Sequence, residues 1–155
     1  MRRGKPEERF IPPDIRYNSA NVQTMILHIM KRGKKSLAVS LMYDAMDLIK
    51  ERTEKSPLEV FDTALRNVSP VMEVRPRRVG GATYQVPMEV PADRRTTLAI
   101  RWILTAAHDR SGKSFPDKLA SELIDAMNET GAAIRKRDEA HKMAEANRAF
   151  SHYRV

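Results

Sequence analysis

The sequence lacks cysteine altogether and is poor in aromatic residues. Among its 155 residues there is no cysteine and one tryptophan, and Phe, Trp and Tyr together make up 6%. The absence of cysteine excludes a disulfide scaffold, a thiolate zinc site and a cysteine nucleophile. The longest stretch without a charged side chain, residues 17–30, is shorter than the roughly 20 residues that a membrane span needs. The opening segment MRRGKPEERF has charge but no apolar stretch behind it, which predicts no secretory signal and a cytoplasmic protein.

Positive charge is what the chain has in excess. Lys and Arg total 28 against 20 Asp and Glu, which gives a net charge of +8. The basic residues form five clusters: Arg2, Arg3, Lys5, Arg9 and Arg16; Lys31, Arg32, Lys34 and Lys35; Arg75, Arg77 and Arg78; Arg94 and Arg95; and Arg135, Lys136 and Arg137. One such run is usually a solvated face. Five of them in one chain predict a surface for a polyanion, most often nucleic acid.

Length and hydrophobic periodicity predict a single, mainly α domain over residues 1–155. About six helices are expected, with a projecting two-stranded β-hairpin arm and an extended basic N-terminal arm. Residues 1–18 form that N-terminal arm because three prolines interrupt them. Helices one to three occupy residues 19–70, the hairpin residues 71–91, helices four to six residues 93–150, and a free tail residues 151–155.

Local signals predict where several helices begin and which faces they bury. Helix one is expected from just after Ser19 to Arg32, with His28 partly buried, and helix two from near Ser36, with Leu37, Leu41, Ala45, Leu48 and Ile49 inward. In Ser56-Pro57-Leu58-Glu59, Ser56 is expected to cap helix three through its side chain. Asp93 and Ser114 are the expected caps of helices four and five. Helix six, from about Ala132 to Phe150, is polar on nearly all sides.

Residues 71–90 change to a strand-like period of two around a Gly80-Gly81 turn. Tyr84, Val86, Met88 and Val90 are expected on one face, and Gln85, Pro87 and Glu89 on the other. Because proline cannot donate to a β ladder, strands with Pro76 and Pro87 cannot lie in the middle of a large sheet. A lone ribbon is marginal in water. We therefore predict an arm that is braced by helices at its base and by a partner at its tip.

Catalytic and metal chemistry find little support. Asp138, His141 and Glu145 share a helical face, but the paired metal site of helical bundles needs a second copy on a facing helix, and the sequence has none. Gly33-Lys34-Lys35-Ser36 lacks the upstream glycine of a phosphate loop. We predict no metal, no cofactor and no enzymatic activity. Two alternatives stay open at this point: an architectural DNA-binding protein with a β-ribbon arm, and a helical enzyme that uses the region of Asp138 and His141.

Several motifs resemble those of one known family. The stretch RRVGGATYQVPMEV at 77–90, GKKS at 33–36, HKMAEANRAFSHYRV at 141–155, Tyr17-x-Ser19 and Arg94-Arg95-Thr96-Thr97 are all similar to the bacterial small-subunit ribosomal protein seven family. The likeness covers essentially the whole chain. It departs from the family pattern before Pro13 and at Val155, where the family has tryptophan.

The resemblance implies a fold of six helices with an extended hairpin and a role in the small ribosomal subunit. Such a protein binds the 3′ major domain of the ribosomal RNA, nucleates assembly of the subunit head, and faces exit-site tRNA and messenger RNA with its hairpin and C-terminal helix. Ribosomal proteins nine and eleven are implied as neighbours. The ribosomal-RNA contacts are then expected at Arg2, Arg3, Lys5, Arg9, Lys31, Arg32, Lys34, Lys35, Arg75, Arg77, Arg94, Arg95, Arg101, Lys113, Arg135, Lys136 and Arg137. The tRNA- and messenger-facing residues are expected at Arg78, Val79, Gly80, Gly81, Ala82, Thr83, Tyr84, Lys142, Met143, Asn147 and Arg148.

Overall fold

The computed structural model of the chain describes Gly4 and residues 10–153, and within these the molecule is mainly helical with one hairpin. The elements in chain order are α1 (Ala20–Ile29), α2 (Lys35–Thr53), α3 (Pro57–Val68), β1 (Met72–Val79), β2 (Ala82–Glu89), α4 (Ala92–Asp109), α5 (Phe115–Met127), α6 (Ala132–Ala146) and a final 3₁₀ helix (Arg148–Tyr153). The predicted fold class is confirmed. No helix among the described residues is long and apolar enough to cross a membrane.

The core is built around α5, which packs against α2, α3 and α4. Its residues Leu119, Ala120, Leu123 and Ala126 recur at helical spacing and are fully buried. Phe61 of α3 is the largest fully buried side chain of the core that surrounds them. Because small residues on α5 allow its neighbours to approach closely, three helices can pack on one.

One of the three predicted side-chain caps is present: the side chain of Ser114 accepts a hydrogen bond from the amide of Asp117. Ser19, after which helix one is expected to begin, also caps its helix by accepting the amide of Val22. The prediction for Ser56 is wrong, because its side chain makes no cap hydrogen bond, and α3 begins with Pro57, whose fixed φ suits a first helical turn. The prediction for Asp93 is also wrong. Since α4 already begins at Ala92, Asp93 lies in its first turn, where a carboxylate still interacts favourably with the helix dipole.

The link between α1 and α2 differs from the prediction. The first helix ends at Ile29 rather than Arg32, because Arg32 (φ 54°) and Gly33 (φ 74°) both take left-handed backbone conformations. On α2, Leu37 is 53% exposed, and Ala38 occupies the buried position beside it. His28 is exposed as well, with its Nδ1 2.9 Å from the carbonyl oxygen of Thr24. The expectations that Leu37 points inward and that His28 is partly buried are therefore wrong.

The hairpin is a two-stranded antiparallel ribbon, as predicted. Val79 pairs with Ala82, and Gly80 (φ 56°) and Gly81 (φ 88°) form the two-residue turn between them. Positive φ at both central positions is the requirement of a type I′ turn, which glycine meets without strain. Val86 and Pro87, which are expected on opposite faces of the ribbon, are both buried. Pro87 faces α6, so both faces of the hairpin base are covered.

Hydrogen bonds from two helices hold the hairpin at its base. The amide of Val71, just before β1, donates to Nε2 of His141 on α6 at 3.0 Å. From α4, Arg94 donates to the carboxylate of Glu73, and Nε of Arg95 donates to the carbonyl of Val90 at 2.7 Å. The predicted bracing by helices is therefore confirmed for the base.

The end of the described chain packs on the hairpin. The predicted helix to Phe150 stops at Ala146 and continues as the 3₁₀ helix. The ring of Tyr84 lies 5.3 Å from the ring of Phe150 and 5.1 Å from that of Tyr153, measured between centroids. Nη1 of Arg77 donates to the carbonyl of Tyr153 at 2.9 Å. The predicted free tail is wrong for residues 151–153, because the aromatic side chains there have a packing partner; residues 154–155 lie outside the described residues.

A buried carboxylate fixes where α6 begins. Glu122 of α5 is 1% exposed, and its Oε1 accepts the amide of Ala133 at 3.0 Å while its Oε2 accepts Nε of Arg110 at 3.2 Å. Gly131 turns the chain into α6 with φ 95° and ψ 175°, a backbone region that is essentially limited to glycine. A Cβ at Gly131 would lie 3.0 Å from Oε1 of Glu122.

We expect Gly131→Ala to lower the melting temperature clearly, through a loss of about 1–3 kcal/mol of unfolding free energy from the strained backbone, with a further loss from the contact with Glu122. Thermal unfolding followed by circular dichroism measures it. Gly4→Ala is the control, because its φ is not positive and a Cβ there would meet nothing within 4 Å. Equal melting temperatures for Gly131→Ala and Gly4→Ala would contradict this account.

Candidate nucleic-acid interface

The basic cluster at residues 31–35 is displayed to solvent. Lys31, Arg32, Lys34 and Lys35 are all exposed. None of them forms an ion pair with any carboxylate among the described residues. Four positive charges therefore lie within five residues with no ion-pair partner in the described chain. They are available to an anionic partner.

The start of α2 adds to this positive potential. Lys34 holds the cap position without a side-chain hydrogen bond, and the first turn has no acidic residue. The first amides of a helix lack partners within the helix and carry a partial positive charge. Cations at this end are unfavourable in the isolated protein, whereas phosphate groups there are favourable. The left-handed residues Arg32 and Gly33 hold the loop against this helix end.

A groove lies beside this helix end, between the α1–α2 loop and the α4–α5 loop. We call it the cationic groove; its volume is about 450 Å³. The charged residues that line it are Lys31, Arg32, Lys34, Lys113 and Lys118. No carboxylate among the described residues lines it. The structure therefore brings together two predicted contact regions, residues 31–35 and Lys113, that are about 80 positions apart in the sequence.

The basic residues at the hairpin base are paired within the protein. Arg94 makes three hydrogen bonds of 2.9–3.1 Å to Glu73, and Arg75 makes one of 2.7 Å to the same carboxylate. Arg95 pairs with Glu89 at 2.9 Å. Burial opposes ionisation of Glu73, but the two arginines outweigh it and lower its pKa. These predicted RNA contacts also clamp the hairpin to α4.

We expect Glu73→Gln to destabilise the protein at neutral pH and to have less effect in acid. A lowered pKa in the folded state adds stability above the ordinary glutamate pKa of about 4.3, and this stability is lost as the pH falls through the lower folded value. The melting-temperature difference between the natural protein and Glu73→Gln should therefore shrink as the pH falls from 7 to 3. Glu51→Gln, at an exposed position on α2, is the control. A difference that is the same at all pH values would show that the ionised carboxylate does not clamp the hairpin.

The three basic residues at the start of α6, Arg135, Lys136 and Arg137, have different roles. Arg137 donates to the carbonyl of Asn67 at 2.6 Å and pairs with Asp138, which ties α6 to the end of α3. Lys136 pairs with Glu139 at 3.1 Å, and both side chains are exposed. Arg135 is exposed and makes one long contact, of 3.5 Å, with the carbonyl of Gly131. Of the three, Arg137 is the one with a structural role inside the described chain.

The hairpin tip and the outer side of α6 are exposed. The exposed tip consists of Arg78, Val79, Gly80, Gly81, Ala82 and Thr83. Lys142, Met143 and Arg148 are exposed on the C-terminal side, and Asn147 donates to the carbonyl of Met143 at 2.8 Å. Tyr84 differs from the others, because its ring packs against the 3₁₀ helix. Arg2, Arg3, Lys5 and Arg9 lie outside the described residues, and Arg101 is exposed on α4.

Sequence reasoning missed part of the cationic groove. Lys118, His108 and Phe115 line it, although none of them was a predicted contact. One sequence signal could have indicated these residues: between Gly112 and Lys118, two lysines lie on either side of Ser114, the cap of α5. Arg16 does not line the groove. It pairs with Asp47 on α2, and the buried Asp14 accepts a hydrogen bond from the hydroxyl of Tyr43 at 2.7 Å. These contacts anchor the described end of the N-terminal arm to α2.

The structure offers little for the alternative of a metalloenzyme. Within residues 10–153 and Gly4, no three His, Asp or Glu side chains are grouped so that they could hold a metal ion. Nε2 of His141 is already the acceptor for the amide of Val71. His141 therefore serves the contact between α6 and the hairpin, whereas Asp138 pairs with Arg137 on its own helix.

Comparison with known proteins adds independent information. Residues 1–148 match the family model described as ribosomal protein S7p/S5e. The chain is 59% identical over 153 residues to small ribosomal subunit protein uS7 of Thermomicrobium roseum, covering 99% of this chain and 98% of that protein. It is 60% identical over 153 residues to the protein of the same name from Acaryochloris marina, with the same coverage. The protein of that name from Chloroflexus aurantiacus is 59% identical over 152 residues, covering 98% of this chain and 97% of the relative.

Proposed function

We propose, from the premise that the chain belongs to the ribosomal protein S7p/S5e family, that it is a primary binder of the 3′ major domain of small-subunit ribosomal RNA. Membership of this family makes the protein a structural constituent of the small ribosomal subunit in the cytoplasm, with ribosomal RNA and ribosomal proteins as partners, and not an enzyme. The family also favours this role over the alternative of an architectural DNA-binding protein. The finer assignments below are our proposal.

The observation that carries the proposal is the uncompensated charge at residues 31–35 beside the cationic groove. RNA affinity comes mainly from neutralisation of phosphates by Lys and Arg. Other basic residues, such as Arg94 and Arg137, use part of their charge in contacts within the protein. The start of α2 and the groove therefore form the main phosphate-binding surface among the described residues. Their concave shape suits a folded RNA junction better than a straight duplex.

The body and its projections would nucleate assembly of the subunit head by contacting several RNA segments at once. The N-terminal arm, the cationic groove and the basic residues near the hairpin base lie on different elements, so a bound RNA must be folded to reach them all. Contacts with ribosomal proteins nine and eleven would follow once the RNA is organised.

The hairpin tip and the outer side of α6 are proposed to face exit-site tRNA and messenger RNA. Both are exposed, and both belong to the same braced unit, because α6 and the 3₁₀ helix pack against the hairpin. The brace holds the hairpin up to Tyr84, and the tip projects beyond it. Its outermost residues are small, which lets the backbone approach a nucleic acid closely.

We expect the triple variant Lys31→Ala, Lys34→Ala and Lys35→Ala to weaken binding to the 3′ major domain RNA. The slope of log K against log salt concentration should flatten by about 0.7–0.9 for each phosphate that the variant no longer neutralises. Filter binding or fluorescence titration over a range of KCl concentrations measures this slope. The variant should fold normally, because these side chains are exposed and Lys35 opposes the α2 dipole.

The matched control removes three positive charges from helices and loops away from residues 31–35, with Lys50→Ala, Lys55→Ala and Arg66→Ala. All three side chains are exposed. The control should leave the salt slope nearly unchanged, apart from a small loss of affinity through the net charge. If the two triple variants lose the same affinity and slope, binding depends on net charge alone and the surface at residues 31–35 is not the site.

We expect a variant with a shortened hairpin to assemble into small subunits but to lose the proposed contact of the tip with exit-site tRNA and messenger RNA. Deleting Arg78, Val79, Ala82 and Thr83 removes two cross-strand residue pairs and joins Arg77 to Tyr84 through the same Gly80-Gly81 turn. Because two residues are removed from each strand, the strand register is kept and each remaining side chain stays on its face of the ribbon. The packing of Tyr84 on the 3₁₀ helix is retained. Exit-site tRNA occupancy should fall and reading-frame errors should rise in subunits that carry this variant.

Arg78→Ala alone is the control for the removed charge. Its effect on tRNA occupancy should be smaller than that of the deletion, because the tip would still project. Subunits that form with the shortened hairpin and show normal occupancy and normal reading-frame maintenance would refute the interface role of the tip.

A further inference from the structure

A buried carboxylate fixes the chain just before α1. Asp14 is 4% exposed, and its Oδ2 accepts the amides of Arg16 at 3.0 Å and Tyr17 at 2.9 Å. Its Oδ1 accepts the hydroxyl of Tyr43 on α2 at 2.7 Å, and its own amide donates to the carbonyl of Ser19 at 3.1 Å. Because a buried carboxylate is costly unless its oxygens are hydrogen-bonded, these contacts hold the turn in one geometry.

The side chain of Arg16 closes the same structure from outside. Its Cζ atom lies 5.3 Å from the ring centroid of Tyr17 and 5.2 Å from that of Tyr43, within the distance of a cation–π contact. The guanidinium also donates to both carboxylate oxygens of Asp47 on α2. An exposed ion pair alone contributes little, but a planar group held by two rings and a carboxylate is fixed in direction. We call Asp14, Arg16, Tyr17, Tyr43 and Asp47 the N-terminal latch.

Neither helix formation nor burial of apolar surface explains the N-terminal latch. The first helix already has its cap in Ser19. The apolar side chains of the latched segment stay in water, with Ile15 99% and Phe10 87% exposed, so the segment gains little hydrophobic free energy. What the contacts fix is the place and direction in which the preceding chain leaves α2. Pro12 and Pro13 follow outward, and their restricted φ extends this direction along the arm.

We propose that the N-terminal latch positions the arm, residues 1–13, for RNA binding. Asp14, Arg16 and Tyr43 are then positioning residues, which change RNA affinity through the arm. This inference rests on the proposed function, because it takes ribosomal RNA as the partner of the basic arm residues Arg2, Arg3, Lys5 and Arg9. A segment that is already held in its binding direction loses less conformational entropy when the RNA binds.

The first experiment measures whether the latch holds the chain. The protein has no cysteine, so Phe10→Cys gives a single attachment site for a nitroxide label. The double variant Arg16→Lys plus Tyr43→Phe keeps the charge and both rings but removes the planar guanidinium and one hydroxyl. Its electron paramagnetic resonance spectrum should gain a mobile component, whose share gives the open fraction of the latch. Arg66→Lys plus Tyr153→Phe makes the same chemical changes away from the latch, and its spectrum should match that of the natural background.

The second experiment compares RNA affinities. The two double variants, unlabelled, are titrated with the 3′ major domain RNA at several KCl concentrations. The apparent Kd of the latch variant should rise in step with its open fraction, by up to about twofold for a half-open latch and up to about tenfold for one that is nine-tenths open. The salt slope should not change, because no positive charge is removed. The control variant should bind like the natural protein.

A third measurement separates positioning from a merely structural role. The full chain is neutralised in its arm by Arg2→Gln, Arg3→Gln, Lys5→Gln and Arg9→Gln, and the latch variant is made in this background as well. If the latch acts through the arm, it should no longer affect RNA affinity there. An equal loss of affinity in both backgrounds would mean that the latch supports the fold or touches the RNA itself, and the proposal would be wrong.

The remaining outcomes distinguish this inference from the proposed function. If the natural protein fails to bind the RNA, the proposed function is wrong, and the positioning role falls with it. If the natural and the arm-neutralised proteins bind equally well, the arm is not an RNA contact and only the positioning proposal is overturned. A label that stays immobile in the latch variant, or one that becomes mobile without any loss of affinity, overturns it too.

Discussion

The buried carboxylate of Glu122 is the constraint on which the C-terminal half of the molecule depends. A buried charge is tolerated only when it is paired and hydrogen-bonded. Glu122 meets this condition by accepting Nε of Arg110 at the end of α4 and the amide of Ala133 at the start of α6. Apart from Ala133, Ile134 and Ala144, α6 has no buried apolar residues. Its position is therefore set largely by polar contacts, and Arg137 adds a second one to the end of α3. Since α6 in turn holds the hairpin through His141, and α4 holds it through Arg94 and Arg95, the contacts of Glu122 link the two helices that support the arm.

Arginine and lysine have different roles in this chain. Where the fold needs a clamp, an arginine provides it: Arg94 and Arg75 on Glu73, Arg110 on Glu122, and Arg137 on Asn67. The planar guanidinium has several donors in a fixed geometry, which suits contacts to carboxylates and carbonyls. The charged residues that line the cationic groove are mostly lysines, whose flexible stems can follow the phosphates of an RNA chain. The basic residues of the chain thus serve two purposes in separate places: arginines brace the arm, and lysines form a binding surface.

Much of the fold could be predicted because its signals are local. Helical periodicity, the start of helix one after Ser19, the serine cap at Ser114 and the Gly80-Gly81 turn each act within a few residues, and the structure confirms them. The local predictions that are wrong lie beside other strong signals. Pro57 starts α3 without the side chain of Ser56, and Pro91 displaces the cap of α4 from Asp93. The extent of the C-terminal segment could not be predicted, because the 3₁₀ helix packs on Tyr84, more than 60 residues earlier.

The sequence by itself determined the type of each element, the presence of the hairpin and the excess of positive charge, since these depend on short-range periodicity, turn chemistry and composition. Its motifs also indicated the family. Only the tertiary structure decided which basic residues remain available to a partner. Arg137 is tied to a carbonyl 70 positions away, and Arg94 to a carboxylate 21 positions away, whereas residues 31–35 have no such ion pair among the described residues. The cationic groove likewise exists only where residues 29–41 meet residues 108–118. Hydrogen bonds and ion pairs act over a few ångströms of space, and the distance along the chain does not reveal them.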